Sequence, residues 1–468
     1  MSRALVLAML VALAGSASAT EELKLPPITR VTFDNGLRVV VAEYHELPLV
    51  EFYGIVGAAS AHDPDGKEGL SALTAVTLTR GTKRLSAEEL ARAIESLGGR
   101  IDATPGTDGT TITGEFLSKD FGTGLDLLRQ VLLEPEFARD EVRRAREEQL
   151  AHIVAALENG SAVADKCYAG FLYGKHPYGR PVEGRSAAVA RLGRGDVTDF
   201  YERWYHPNNT VLVLVGDVIA SDAVARLREA FGAWRARPDG VPAAIPAAPP
   251  VTTRRVLLVD KPDATQTQIR IGNVAMRRND PDFLPSTVAN TVLGGGFTSQ
   301  LIEELRVKRS LTYSAYSTFV GRKGPGDFRI GTFTKSPTTA QTLGLALTVL
   351  GDFRSRPPDP KALSKGKRYL LGQFPLKVES PDALAGRLAE IEFFELPPDE
   401  LATYRSRVAA VTPEEAARVA RAHMPDREQV VVVVVGKAAE IRDQLTRDFG
   451  ALETIPAEEC ENLAATKR

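Results

Sequence analysis

Two apolar blocks, Thr210 to Val215 and Val430 to Val435, set the plan of this chain. Each follows a Pro-containing turn, His206-Pro207-Asn208-Asn209 in one and Met424-Pro425-Asp426 in the other. Each ends in a glycine (Gly216, Gly436), and an amphipathic helical pattern then runs to Phe231-Gly232 or Phe449-Gly450. A short apolar run without polar alternation predicts a central, buried strand. The same turn, strand, glycine and helix occurring twice predicts two copies of one design.

The remaining pattern fits a sheet with helices in each copy. Residues 30–41 read as strand, Asn35-Gly36 turn and strand, a strong hairpin signal. Residues 50–58 alternate like a half-buried strand, 87–97 form an amphipathic helix, 101–116 hold two strands and 141–158 a long helix rich in Arg and Glu. The second copy has strands at 254–260 and 267–274, a helix at 282–293, strands near 311–320 and 326–334, and helices near 338–355 and 359–379. Strands and helices mix without strict βαβ alternation, so each copy is α+β. The clearest break is the Pro- and Ala-rich stretch 236–250, which reads as a semi-rigid linker between domains at 20–235 and 251–468.

Charge narrows the partners. A net charge of −2, with no basic stripe, argues against nucleic acid. Residues 1–19 look like a cleaved secretory signal: Arg3, an apolar run from Ala4 to Ala14, then Ala17-Ser18-Ala19. The run is too short to span a bilayer, so no stable membrane insertion is expected. With a composition rich in Ala, Arg and Pro, as in GC-rich bacteria, this places the mature chain in the periplasm. The two cysteines, Cys167 and Cys460, are compatible with a disulfide or with two free thiols.

The stretch Gly69-Leu70-Ser71-Ala72-Leu73-Thr74-Ala75-Val76-Thr77-Leu78-Thr79-Arg80-Gly81-Thr82 reads on its own as a buried helix between glycines. Its frame resembles the zinc-binding helix of the pitrilysin/insulinase metallopeptidases, where H-x-x-E-H supplies two zinc ligands on one helix face and the general base. Here Ala72, Ala75 and Val76 stand at the His, Glu and His positions, and none carries a lone pair. The family's third ligand, a Glu on a later helix, falls near Glu147, Glu148 and His152. One such residue without two partners is not a zinc site. No metal or other cofactor is expected on this chain.

Further matches follow in family order: Asp34-Asn35-Gly36-Leu37, Leu97-Gly98-Gly99, His176-Pro177-Tyr178-Gly179-Arg180-Pro181, Tyr205-His206-Pro207-Asn208-Asn209, Leu293-Gly294-Gly295-Gly296, Leu305-Arg306 and Leu311-Thr312-Tyr313. Together they are similar to the two-domain, processing-peptidase-like branch. The resemblance implies two homologous domains, each a mostly antiparallel sheet flanked by helices, in chains that pair around a peptide chamber. It implies that Arg306 and Tyr313 bind and polarise the substrate carbonyl, and that Gly294, Gly295 and Gly296 form a substrate-contacting loop, a plain helix-to-helix turn being the alternative.

The chain therefore resembles the zinc-less subunit of a heteromeric metallopeptidase, inactive by itself, with zinc on a homologous H-x-x-E-H-bearing partner and a peptide or unfolded protein as substrate. The alternatives are a non-enzymatic scaffold or peptide-binding subunit, and a divergent stand-alone peptidase built on Glu147, Glu148 or His152. The remaining histidines, His45, His62, His176, His206 and His423, show no ligand spacing.

Overall fold

The structure is a computed structural model that describes residues 25–248 and 251–465. The signal-like segment 1–19 lies outside the described residues. The first six strands are β1 (Ile28–Thr32), β2 (Arg38–Glu43), β3 (Leu49–Val56), β4 (Arg100–Pro105), β5 (Thr110–Leu117) and β6 (Thr210–Gly216). They form one sheet in the order β1-β2-β6-β3-β5-β4. The Asn35-Gly36 turn does what its residues predict: Gly36 takes φ 84°, and Thr32 pairs with Arg38 across an antiparallel hairpin.

The second sheet holds β7 (Arg255–Asp260), β8 (Thr267–Val274), β9 (Ala315–Val320), β10 (Asp327–Thr334), β11 (Val431–Gly436) and β12 (Glu453–Pro456), in the order β12-β7-β11-β8-β10-β9. Both sheets are mostly antiparallel. The central strand is parallel to one neighbour (β6 to β2, β11 to β7) and antiparallel to the other (β6 to β3, β11 to β8). The order β2-β6-β3-β5-β4 thus recurs as β7-β11-β8-β10-β9, which is the duplication read from the two apolar blocks.

Residues 211–215 and 430–435 are apolar at every position because both faces of each strand are covered. Leu212 and Leu214 of β6 pack with Leu70, Leu73, Leu128 and Leu227 from helices of the same half. Val211, Val213 and Val215 point the other way, onto Leu384, Ala385 and Leu388 of the helix Pro381–Phe393, which belongs to the second half. On β11, Val432 and Val434 meet helices of their own half, while Val431, Val433 and Val435 meet Val163, Ala164 and Phe171 of the helix Gly160–Tyr173 from the first half. Each half lends one helix to the other's sheet.

Polar contacts line both exchanged helices. Arg270 of β8, nearly buried, holds Asp165 at 2.8 Å, and the Tyr168 hydroxyl donates to the Phe328 carbonyl at 3.1 Å. Arg278 pairs with Glu390 at 2.8 Å. Cys167 and Cys460 form a disulfide with Cα atoms 4.7 Å apart, tying the lent Gly160–Tyr173 helix to the chain's C-terminal segment. The linker holds no helix or strand over 236–248, yet it is pinned: the Pro246 carbonyl lies 3.0 Å from His176 Nε2, and Ala248 is buried.

Candidate functional site

The frame around the former zinc motif persists for reasons of backbone geometry. The helix Leu70–Leu78 is entered through Gly69 at φ 102°, and Gly81 lies just past it at φ 103°. A Cβ on Gly69 would sit 2.8 Å from the Glu183 carbonyl oxygen, so only glycine fits there. Buried Asp63 accepts from Gly69 N and Ser71 N, each at 2.7 Å, and so caps the helix. Thr82 Oγ1 donates to Gln130 Oε1 and accepts from the amides of Arg84 and Leu85.

The residues at the motif positions do not fit zinc. Ala72 and Ala75 are buried at 4% and 0% exposure, and Val76 is at the surface. Glu148 is taken by Arg80, whose cation holds its carboxyl below the usual range. Glu147 and His152 are exposed, and Glu147 pairs with Arg143. No donor set of three converges here. Among the described residues, the one grouping of potential ligands is Asp280, Asp282 and His423. There, the ion pair with Arg418 and the His423 contact hold the Asp282 carboxyl far below its usual range. The Asp282 carboxylate of that cluster is already occupied by the Arg418 guanidinium.

The histidines are structural. His176 Nδ1 accepts from Tyr178 N at 3.1 Å within the His176–Pro181 turn. The Tyr178 hydroxyl donates to Asp108 at 2.6 Å and accepts from Gly324 N at 2.6 Å, joining the halves. His62 accepts from Ala59 N, and burial pushes it down to about 4, a neutral ring. His45 contacts Asp217, and His206 meets backbone carbonyls.

Arg306 and Tyr313 lie in the second half, flanking β9, which is an edge strand. The sequence pattern predicts a helix over 282–293 and a strand near 311. The α-helix instead runs Phe283–Asn290 and continues as a π-helical turn over Thr291–Gly295, with a second π-helical stretch at Ile302–Val307. Such turns arise where packing forces an extra residue into the helix. Here Gly294 is pressed against β9, where a Cβ would lie 2.3 Å from Ser317 Oγ, and Asn290 exchanges hydrogen bonds with Ser317 at 2.8 and 2.5 Å. Gly294 is therefore a packing residue, whereas Gly295 and Gly296 stay at or near the surface.

Strand β9 begins at Ala315, so Tyr313 precedes it instead of starting it. Ser310 turns the chain at φ 52°, and Thr334 Oγ1 holds the Leu311 carbonyl at 2.7 Å. Tyr313 projects from this braced loop at 77% exposure. Its hydroxyl has no hydrogen-bond partner among the described residues. Among the described residues the Arg306 guanidinium makes no ion pair either, and Glu304 is occupied by Lys308 and Arg309. It stacks over Phe297, 5.5 Å from the ring centre, and Phe297 is itself 72% exposed. Sequence reasoning missed Phe297; a large aromatic straight after three glycines, in a polar loop, was the available signal. The arrangement offers a half-buried planar cation, an exposed phenol and an exposed aromatic ring beside a sheet edge.

On the first sheet the counterpart edge is β4, and the Leu70–Leu78 helix packs against it. The two candidate sets thus occupy equivalent positions on two sheets: a helix without ligands beside β4, and free donors beside β9.

This is the architecture of a metallopeptidase fold whose metal helix has lost its ligands, and the comparisons agree. Residues 39–185 match the profile of the insulinase family (peptidase family M16), and residues 191–370 match the peptidase M16 inactive domain. The chain belongs to the insulinase family. It is similar to the crystal structure of a peptidase M16 inactive domain from Pseudomonas fluorescens, with TM-score 0.83 and 26% identity, covering 88% of this chain and 98% of that one. An uncharacterized zinc protease of Mycobacterium leprae is 30% identical over 299 residues, 62% of this chain and 65% of that relative's length. A protein named a non-peptidase homolog, from Helicobacter pylori, is 23% identical over 404 residues, 85% of this chain and 92% of that one.

Proposed function

We propose that this chain is the zinc-less subunit of a heteromeric periplasmic metallopeptidase, contributing Arg306 and Tyr313 as carbonyl-binding groups while a homologous partner carries the zinc ligands and the base. The observation that carries the reading is the pairing of two facts: no donors at Ala72, Ala75 and Val76, and two strong donors beside an edge strand, Tyr313 exposed and Arg306 half-buried against Phe297 with no ion pair among the described residues. Tyr is on average a partly buried residue, so a ring at 77% exposure on a braced loop is unusual. A preorganised guanidinium and phenol suit a carbonyl oxygen that gains negative charge during attack. The unpaired backbone of an edge strand suits a peptide that adds as a further strand. The buried disulfide and the signal-like residues 1–19 support an oxidising compartment.

The test is to reconstitute the chain with a homologous subunit that carries H-x-x-E-H and to follow cleavage of a quenched-fluorescent peptide. Arg306→Ala or Tyr313→Phe should lower turnover by about 10²–10³, with assembly unchanged by size-exclusion chromatography. Wild-type turnover by both variants would refute the assignment and leave the non-enzymatic scaffold reading in its place.

A further inference from the structure

A second site lies in the second half, away from Tyr313. A cavity of about 290 Å³ opens where the helices Phe283–Asn290, Pro381–Phe393 and Glu400–Ala410 and the segment 374–377 approach the far end of β9. It includes Phe319, six residues after Tyr313, so about 20 Å further along an extended chain. Its walls are apolar: Phe283, Leu284, Phe319, Phe374, Ile391 and Leu401. Tyr404 stacks on Phe374 with ring centres 4.4 Å apart and planes 20° from parallel.

The charges at this cavity do not balance. Arg278 and Arg387 both bind the single carboxylate of Glu390, at 2.8 and 2.6 Å. Glu400 is taken by Arg407. Lys377 also lines the cavity, and its ammonium has no hydrogen bond or ion pair among the described residues. Burial and the Arg387 cation hold the Lys377 ammonium below the usual lysine range. The Tyr404 hydroxyl, likewise in the lining, has no hydrogen-bond partner among the described residues. A half-buried cation without a counter-charge is costly unless an anion answers it.

We infer that this cavity binds a small amphipathic carboxylate, an aliphatic acid of medium chain length, with its tail among the aromatic and aliphatic walls and its head on Lys377 and Tyr404. An apolar cavity with a few convergent polar groups is the usual form of such a site, and the volume sits at the lower end of the range for small-molecule pockets. The head group supplies the missing negative charge. The tail replaces water against apolar walls. A neutral chain of equal length gains only the second term, so the site should prefer the acid to the alcohol.

The experiment is calorimetric titration of the full mature chain with octanoate, octanol and N-acetyl-leucyl-phenylalanine. Saturable binding of octanoate at one site, tighter than octanol, is expected. Lys377→Met should weaken octanoate by about tenfold or more and leave octanol unchanged. Tyr404→Phe, which keeps the ring stack, should weaken octanoate by a smaller factor. Thermal melting checks that both variants are folded. Octanoate and octanol binding equally, neither binding, or an unchanged octanoate affinity in Lys377→Met would overturn the inference. Binding of the peptide acid without octanoate would assign the site to a peptide C-terminus and also overturn it.

Discussion

Glu51 offers the sharpest test of the exchanged-helix architecture. It is the third residue of β3, between Val215 of β6 and Glu115 of β5, on the face covered by the lent helix Pro381–Phe393. It is 2% exposed, and its Oε2 has no partner among the described residues. Burial pushes its carboxyl up to about 8, Glu115 and Asp382 add to the rise, and Arg100 opposes it. The Arg100 cation is shared, since it pairs with Glu115 at 3.3 Å. At neutral pH the folded chain keeps Glu51 protonated, while the unfolded chain releases the proton near its ordinary value of 4.5. The native state thus binds the extra proton, and stability falls as pH rises between those two values.

Each pH unit in that window is worth roughly 1.4 kcal/mol. Relative to Glu51→Gln, which cannot ionise, the wild type should lose roughly 3 kcal/mol by pH 7 and level off near roughly 5 kcal/mol above pH 8. Urea unfolding followed by tryptophan fluorescence suits the test, because both tryptophans, Trp204 and Trp234, belong to the first half. Wild type and Glu51→Gln should have similar midpoints at pH 5 and separate progressively up to about pH 8, the variant being the more stable. A gap that stays constant from pH 5 to pH 9 would refute the reasoning, because Glu51 would then carry the same charge in both states.

Two further outcomes follow from the interlocked halves. Replacing both Cys167 and Cys460 by serine removes a cross-link between positions 293 residues apart and should cost about 2–4 kcal/mol; thermal denaturation would read it, and wild type treated with reductant after unfolding should refold like the variant. A protease cut within 238–243 should leave the two fragments associated on gel filtration, because each half's sheet is covered by the other's helix. Separation of the nicked fragments in non-denaturing buffer would contradict that packing.

Much of the fold was legible in the chain because it rests on local signals. The Asn35-Gly36 hairpin needs a positive φ that glycine supplies, and the two all-apolar strands state that both their faces are covered. The loss of the zinc ligands is equally direct, since Ala72, Ala75 and Val76 have no lone pairs whatever surrounds them. What lies on each strand's second face was not legible. Val211 and Val431 read the same whether a neighbour's helix or the chain's own covers them; only the tertiary structure shows Pro381–Phe393 and Gly160–Tyr173 in those places. The state of the cysteines and the π-helical turn beside Gly294 depend in the same way on atoms distant in sequence. Composition and periodicity record how much apolar surface a segment must bury and with what repeat, because those are properties of the segment. Which partner buries it, and which charged groups end up without a counter-charge, is decided by packing across the whole chain.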